Sequence, residues 1–280
     1  MSRDVPPAAE KTVIEAGHAE RHYWRDLWRY RELLYLLAWR DVTVRYKQTV
    51  IGTAWAVIRP VTTMLILVLV FGKVARLPSG GVPYPILVLT GMLAWQLFAA
   101  GLSSTSDSLV GSAGLISKVY FPRLIIPLSA LAVGIVDFLV TLPLLVALML
   151  WYGVEPTWRM AVFPAFVLLT VLAGLSLGIW LSALAVRYRD VRVLIPFILQ
   201  FGLYLSPVGY ATAVVPDEYR TLYSLNPMVG IIEGFRWCLL GQAEGLTPLS
   251  LAVSVGAVVV LLALGLRYFR RTERGFADVI

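Results

Sequence analysis

The sequence predicts an all-α membrane protein: six transmembrane helices, an N-terminal amphipathic helix at the membrane interface, and two short re-entrant helices between spans five and six. Three observations carry this prediction. First, 59% of the 280 residues are hydrophobic and 15% are charged, against roughly 45–50% apolar and 25% charged in soluble domains. Second, the stretches Leu77–Ser106, Met160–Val186, Val193–Pro216 and Gly245–Leu266 contain no Asp, Glu, Lys or Arg. Each reaches the ~20 residues that a helix needs to cross a hydrocarbon core. Third, two further apolar stretches carry one ionisable residue each: Ala54–Gly72 holds Arg59 and Leu124–Trp151 holds Asp137.

The basic residues orient these six spans. Nine precede the first span, from Arg3 to Lys47. Lys118 and Arg123 follow the second, Arg187, Arg189 and Arg192 follow the fourth, and Arg267, Arg270, Arg271 and Arg274 follow the sixth. Against these eighteen the other side holds five: Lys73, Arg76, Arg159, Arg220 and Arg236. The positive-inside rule places the eighteen, and with them both termini, in the cytoplasm of a multi-pass inner-membrane protein. The net charge of +7 is therefore topological, and nucleic acid is not an expected partner. The polar, mixed-charge lead lacks the n-region and apolar core of a cleavable signal. The lone Cys238 has no partner for a disulfide or a metal site.

Element by element, residues 1–20 have no packing pattern and read as a disordered lead. Trp24, Leu27, Trp28, Leu34, Tyr35, Ala38 and Val42 fall near helical spacing with Arg25, Arg29 and Glu32 pointing elsewhere. Such a helix lies in the membrane interface or packs on a soluble partner. This N-terminal cytoplasmic segment spans 1–49, the membrane domain 50–270 and a short tail 271–280. In the first span Arg59 reaches back to the headgroups and Pro60 sets a kink. The Ser- and Gly-rich stretch Ser103–Tyr120 fits a short helix that docks on a partner, or a plain connector. Trp151–Trp158 is a tight external turn with interfacial aromatics. Between 214 and 242, Asn226-Pro227 separates two apolar-polar halves, which read as helices dipping back from the outer face. Glu233 and Arg236 stand three apart on one helical face and can pair.

Catalytic and metal signatures are lacking. Both histidines, His18 and His22, lie near the N-terminus, and no H-E-x-x-H, G-x-S-x-G or spaced carboxylate pair occurs. Gly111-Ser112-Ala113-Gly114 precedes Lys118 without the Gly-Lys junction of a phosphate loop. This chain is accordingly expected to bind no cofactor and to have no ATP site of its own. An intramembrane acid is a functional candidate by default. For Asp137 a helix–helix hydrogen bond or a partner such as Arg59 is the preferred reading over a proton relay.

Four blocks, in order, carry a resemblance. They are Trp39-Arg40-Asp41-Val42-Thr43-Val44-Arg45-Tyr46-Lys47-Gln48-Thr49 with Gly52, Trp55 and Pro60; Ile116-Ser117-Lys118-Val119-Tyr120-Phe121-Pro122-Arg123; Val186-Arg187-Tyr188-Arg189-Asp190-Val191-Arg192 leading to Ser206-Pro207-Val208; and Leu225-Asn226-Pro227-Met228 before Ile232-Glu233-Gly234-Phe235-Arg236-Trp237. Together they resemble the permease subunits of ABC exporters for lipid-linked O-antigen, teichoic acid and related polysaccharides. The resemblance implies a homodimer enclosing a channel for an undecaprenyl-diphosphate-linked glycan. It also implies two copies of a separate ABC ATPase, which would supply the ATP and Mg chemistry. Lys118, Arg123, Arg187, Arg189 and Arg192 are the ATPase-coupling candidates, and Asn226, Pro227, Glu233 and Arg236 the external-gate candidates. Arg40, Arg45, Lys47 and Arg59 surround the entry to the first span and suit a diphosphate headgroup through charge-assisted hydrogen bonds, or serve only as positive-inside anchors. Tyr84, Trp95, Phe98, Tyr204 and Tyr210 are the channel aromatics on which sugars could stack, with belt or packing roles as the alternative. A permease for a small lipid or a drug would share these spans. A membrane glycosyl- or acyltransferase would need an acid, base or nucleophile cluster.

Overall fold

A computed structural model describes residues 23–47, 54–188, 190–242 and 245–276, and among these it is helical without strands. The disordered lead expected at 1–20, both histidines and Arg189 lie outside the described residues. Two N-terminal helices, α1 (Tyr23–Arg29) and α2 (Arg31–Lys47), precede α3 (Ala54–Leu67), which continues as a π-turn over Val68–Val74. Then follow α4 (Tyr84–Gly111), the single turn α5 (Ala113–Ile116), α6 (Ile125–Trp151), α7 (Phe163–Arg187), α8 (Val191–Leu205), α9 (Asp217–Tyr223), α10 (Pro227–Leu240) and α11 (Pro248–Thr272). Five of these segments are long and apolar enough to cross a membrane: Ala54–Val74, Tyr84–Gly111, Ile125–Trp151, Trp158–Arg187 and Pro248–Thr272. The molecule is a multi-pass membrane protein.

α4 is the axis of the bundle. Every residue from Ile86 to Trp95 is buried, and α6, α7 and α10 pack around it. Small residues permit the close approach. A Cβ added to Gly174 would lie 2.9 Å from the Phe98 carbonyl oxygen, and one on Gly178 would lie 2.6 Å from the Thr105 Cβ. Gly174 and Gly178 form a G-x-x-x-G face that brings two backbones together where no hydrophobic force acts between helices. Gly134 of α6 meets Ala100 and Gly265 of α11 meets the Ser176 carbonyl in the same way, each with 2.9 Å to an added Cβ.

The first and last described helices meet at one end of the bundle. The Tyr23 hydroxyl donates to Glu273 at 3.0 Å, Arg123 donates to the Glu273 carbonyl at 2.9 Å, and Arg270 covers the Tyr23 ring. Leu37, Leu109, Ile116, Phe121, Leu124 and Phe269 share one apolar cluster there. At the far end Arg159 donates to the Gly241 carbonyl and Gln242 to the carbonyls of Ser79 and Gly80.

Two expectations are corrected and one is refined. The charge-free stretch Val193–Pro216 is not one long helix: α8 ends at Leu205 after 15 residues. Pro207 lacks an N–H and pushes the preceding residue out of the helical region, and Ser206 is accordingly extended at φ −109°, ψ 151°. The N-terminal stripe divides between the bundle and the surface. Leu27, Tyr30, Leu33, Leu34 and Leu37 pack on the bundle, while Trp24, Trp28, Tyr35 and Trp39 are exposed, so α1 and α2 are apolar on two sides. Ser103–Gly111 is not a separate element but the last turns of α4, leaving α5 as the only helical turn of the connector.

Candidate functional site

Three clusters gather the residues singled out above. The first lies where α2 meets α6. Arg45 Nη2 is 2.5 Å from Asp137 Oδ2, and the Tyr46 hydroxyl donates to Asp137 Oδ1. Asp137 is therefore paired with Arg45 and Tyr46, not with Arg59. Burial, and then the bond to Asp137, push the Tyr46 phenol up to about 12, so it stays protonated and donates at neutral pH. Arg40 is held by the adjacent Asp41 at 2.7 Å. Lys47 and Arg59 are exposed and make no ion pair among the described residues. Pro60 sits inside α3 as expected; the Thr62 and Thr63 hydroxyls bond the carbonyls of Ile58 and Arg59 beside it.

The second cluster is at the far end, where the segment after α8 is bolted to α10. Arg236 and Glu233 do pair, at 2.8 Å and with both side chains buried. Arg236 Nη1 also donates to the Tyr210 carbonyl at 3.0 Å and Nη2 to the Val208 carbonyl at 3.3 Å, while Thr212 donates to Glu233 at 2.6 Å. A buried charge is tolerated only with such partners. Gly91 of α4 leaves room for this guanidinium: an added Cβ would sit 3.2 Å from Arg236 Nη2. Tyr84 donates to the Gly209 carbonyl at 2.7 Å, and the hydroxyls of Tyr210 and Tyr223 lie 2.9 Å apart. Burial and that bond push the Tyr223 phenol upward. Asn226 caps α10 by accepting from the Met228 N–H at 3.0 Å, and its amide donates to the Leu205 carbonyl at 3.2 Å and Ser206 Oγ at 3.0 Å. Pro227 fills the first helical position, where its missing N–H costs nothing. The four gate candidates thus all hold α10, Asn226 and Pro227 at its start and Glu233 and Arg236 further along, in two separate groups of bonds.

The third cluster is a cavity of about 410 Å³ between α8 and the bundle, with walls from α4, α7, α10 and α11. Trp95 and Phe98, with ring centroids 5.3 Å apart, line it together with Phe197 and Phe201 of α8. Its few polar wall groups, Ser176, Ser206 and Asn226, already bond within the protein. The five channel aromatics are therefore not brought together: Trp95 and Phe98 line this cavity, Tyr84 and Tyr210 serve the far-end network, and Tyr204 is exposed on α8.

The coupling candidates also separate. Lys118, Arg187 and Arg192 are exposed, with Val119, Tyr120 and Tyr188 beside them. Arg123 is engaged with the Glu273 carbonyl. Sequence reasoning missed Tyr46, Thr212, Phe197 and Phe201, and the G-x-x-x-G spacing of Gly174 and Gly178 was the one signal available for the α4–α7 contact.

The geometry offers no group of His, Cys, Asp or Glu able to hold a metal among the described residues. It offers a membrane bundle with exposed basic loops at one end and a polar, buried network at the other. Comparison with known proteins fits that outline. The ABC-2 type transporter family matches residues 32–240. The chain is 30% identical over 264 residues to the O-antigen export system permease protein RfbA of Myxococcus xanthus, covering 91% of this chain and 98% of that one. It is 26% identical over 251 residues to the RfbA permease of Klebsiella pneumoniae, covering 89% and 95%. It is 23% identical over 242 residues to the polysialic acid transport protein KpsM of Escherichia coli, covering 84% and 91%. The chain belongs to the ABC-2 type transporter membrane family.

Proposed function

We propose that this chain is the membrane subunit of an ABC exporter that carries a polysaccharide such as O-antigen, linked to undecaprenyl diphosphate, across the inner membrane. The observation that carries the reading is the end-to-end likeness to an O-antigen export permease, at 30% identity over 98% of that protein. The bundle traverses the bilayer six times, with α8 and the segment after it making the fifth passage and both termini in the cytoplasm. α9 and α10 dip back from the outer face as gate helices. The contact of Asn226 with the end of α8 supports that placement, because backbone inside the bilayer needs protein around it to satisfy its polar groups.

Two copies enclose the channel, and two copies of a separate ATPase bind below, hydrolysing ATP with Mg. The apolar faces of α3 and α8, with Leu65, Ile66, Val193 and Leu194 exposed in one chain, are surfaces a second copy could cover. Exposed Lys118, Arg187 and Arg192 support the loops after α4 and α7 as the ATPase contact. Arg59 and Lys47, free of ion pairs among the described residues, are available to a diphosphate headgroup, whereas Arg45 is engaged by Asp137. A small-lipid or drug permease is the competing reading, but the likeness to O-antigen export permeases covers 89–91% of the chain.

The test is genetic. Deleting this gene in its host and restoring it beside its ATPase partner should abolish and then recover surface polysaccharide, with lipid-linked glycan accumulating inside the deleted strain. Normal surface polysaccharide in the deletion strain would overturn the reading.

A further inference from the structure

We infer that the cavity between α8 and the bundle is a binding site for one hydrocarbon chain of a membrane lipid, acyl or isoprenoid. Trp95 and Phe98 then serve a lipid tail and not a sugar.

The cavity arises from the way α8 meets α4. Gly202 lies against the Trp95 ring, and an added Cβ there would sit 2.6 Å from Trp95 Cη2. Beside that contact Phe197 and Phe201 pack on each other, with ring centroids 4.2 Å apart. They leave space open toward Leu177 of α7 and Leu261 of α11. The resulting volume, about 410 Å³, falls within the roughly 300–1,000 Å³ of ligand sites.

The walls select the ligand. No charged side chain lines the cavity among the described residues. Its three polar wall residues are already hydrogen-bonded. Ser176 donates to the Ala173 carbonyl at 2.8 Å, and Asn226 donates to Ser206 Oγ and accepts from the Met228 N–H, both at 3.0 Å. A sugar or a phosphate placed there would give up its water for few replacement hydrogen bonds, which is costly. Apolar cavities also stay free of water. Hydrocarbon carries neither penalty.

Depth points the same way. Trp95, Ser176 and Val258 stand about 15–17 Å from the nearer ends of α4, α7 and α11 at 1.5 Å per residue. That is half the ~30 Å of a hydrocarbon core, the level of lipid tails and not of headgroups. Val258 lines the cavity, while the next residues of α11, Val259 and Val260, are exposed. One wall therefore adjoins a surface that bilayer lipid covers.

The experiment places the full chain in nanodiscs with one of two photoreactive probes. The first is a phosphatidylethanolamine with a diazirine midway along one acyl chain; the second is a polyprenyl phosphate with a diazirine in its isoprenoid chain. Labelled positions are mapped by peptide mass spectrometry. Exposed Val260 and Leu264 report ordinary lipid contact. Phe98, Ser176 and Met228 are buried and line the cavity, and they should be labelled as well. Ile198→Trp and Leu261→Trp, which fill the cavity, should lose the inner label and keep the outer one. Val193→Trp, on α8 outside the cavity, should keep both. Stronger inner labelling by the polyprenyl probe assigns the site to an isoprenoid tail, and stronger labelling by the phospholipid assigns it to a bilayer acyl chain; either supports the inference. Label confined to Val260 and Leu264 with both probes overturns it, as does inner label that persists in both filled variants. If neither filled variant accumulates, the wild-type pattern decides alone. The readout involves no transport, so its failure leaves the export reading untouched.

Discussion

Two helices of similar hydropathy meet opposite fates in this bundle. In an apolar 18-residue stretch of Tyr84–Gly111, 78% of the residues are buried inside the chain, against 11% in that of Ala54–Val74. α4 is surrounded by α6, α7 and α10 and touches them through glycines and small hydroxyl residues. α3 with its π-turn, and α8 with them, present Leu65, Ile66, Leu69, Val193 and Leu194 outward. In water such faces would be a liability, but in lipid they cost nothing. The difference separates the part of the chain that makes one subunit from the part left for lipid or a second copy. Stability should reside in the first and transport in the second.

The largest expected effect lies where the buried core meets the far-end network. Glu233→Ala would strand the Arg236 guanidinium, which is fully buried. Breaking a buried pair from one side costs about 3–5 kcal/mol, so the variant should lose most of its folded yield in membranes, measured by thermal unfolding in detergent. Next comes the α4–α7 seam. Gly178→Ile would drive a side chain into Thr105, and overpacking costs roughly 1–3 kcal/mol. Ile66→Ala on α3 should change stability by less than about 0.5 kcal/mol, as for surface positions in general. Equal destabilisation by the Gly178 and Ile66 substitutions would break the comparison.

The sequence makes the five long helices legible because each is a continuous apolar run, and length alone separates such runs from soluble helices. It does not show where α8 stops. Absence of charge continues to Pro216, while the helix is ended by the backbone chemistry of Ser206-Pro207. The Glu233–Arg236 pair is legible because three-residue spacing on one helix fixes the geometry. The partner of Asp137 is not, since it depends on the course α2 takes along α6, and order in the chain favours Arg59. The faces of α1 and α2 are legible only in part, for a related reason: apolar residues surround both helices, and spacing cannot tell which side meets the bundle. The aromatics expected to form one channel scatter because Tyr serves buried hydrogen bonds as readily as sugar stacking.

Polysaccharide export by this chain with a partner ATPase is tested most directly by transport in a defined system. The permease and its ATPase are placed in liposomes with a radiolabelled undecaprenyl-diphosphate-linked glycan, and glycan accessible to a glycosidase on the side opposite the ATPase is counted. The account predicts ATP-dependent appearance of glycan there, abolished by omitting either subunit. Glycan that stays on the ATPase side while the complete complex hydrolyses ATP would contradict it.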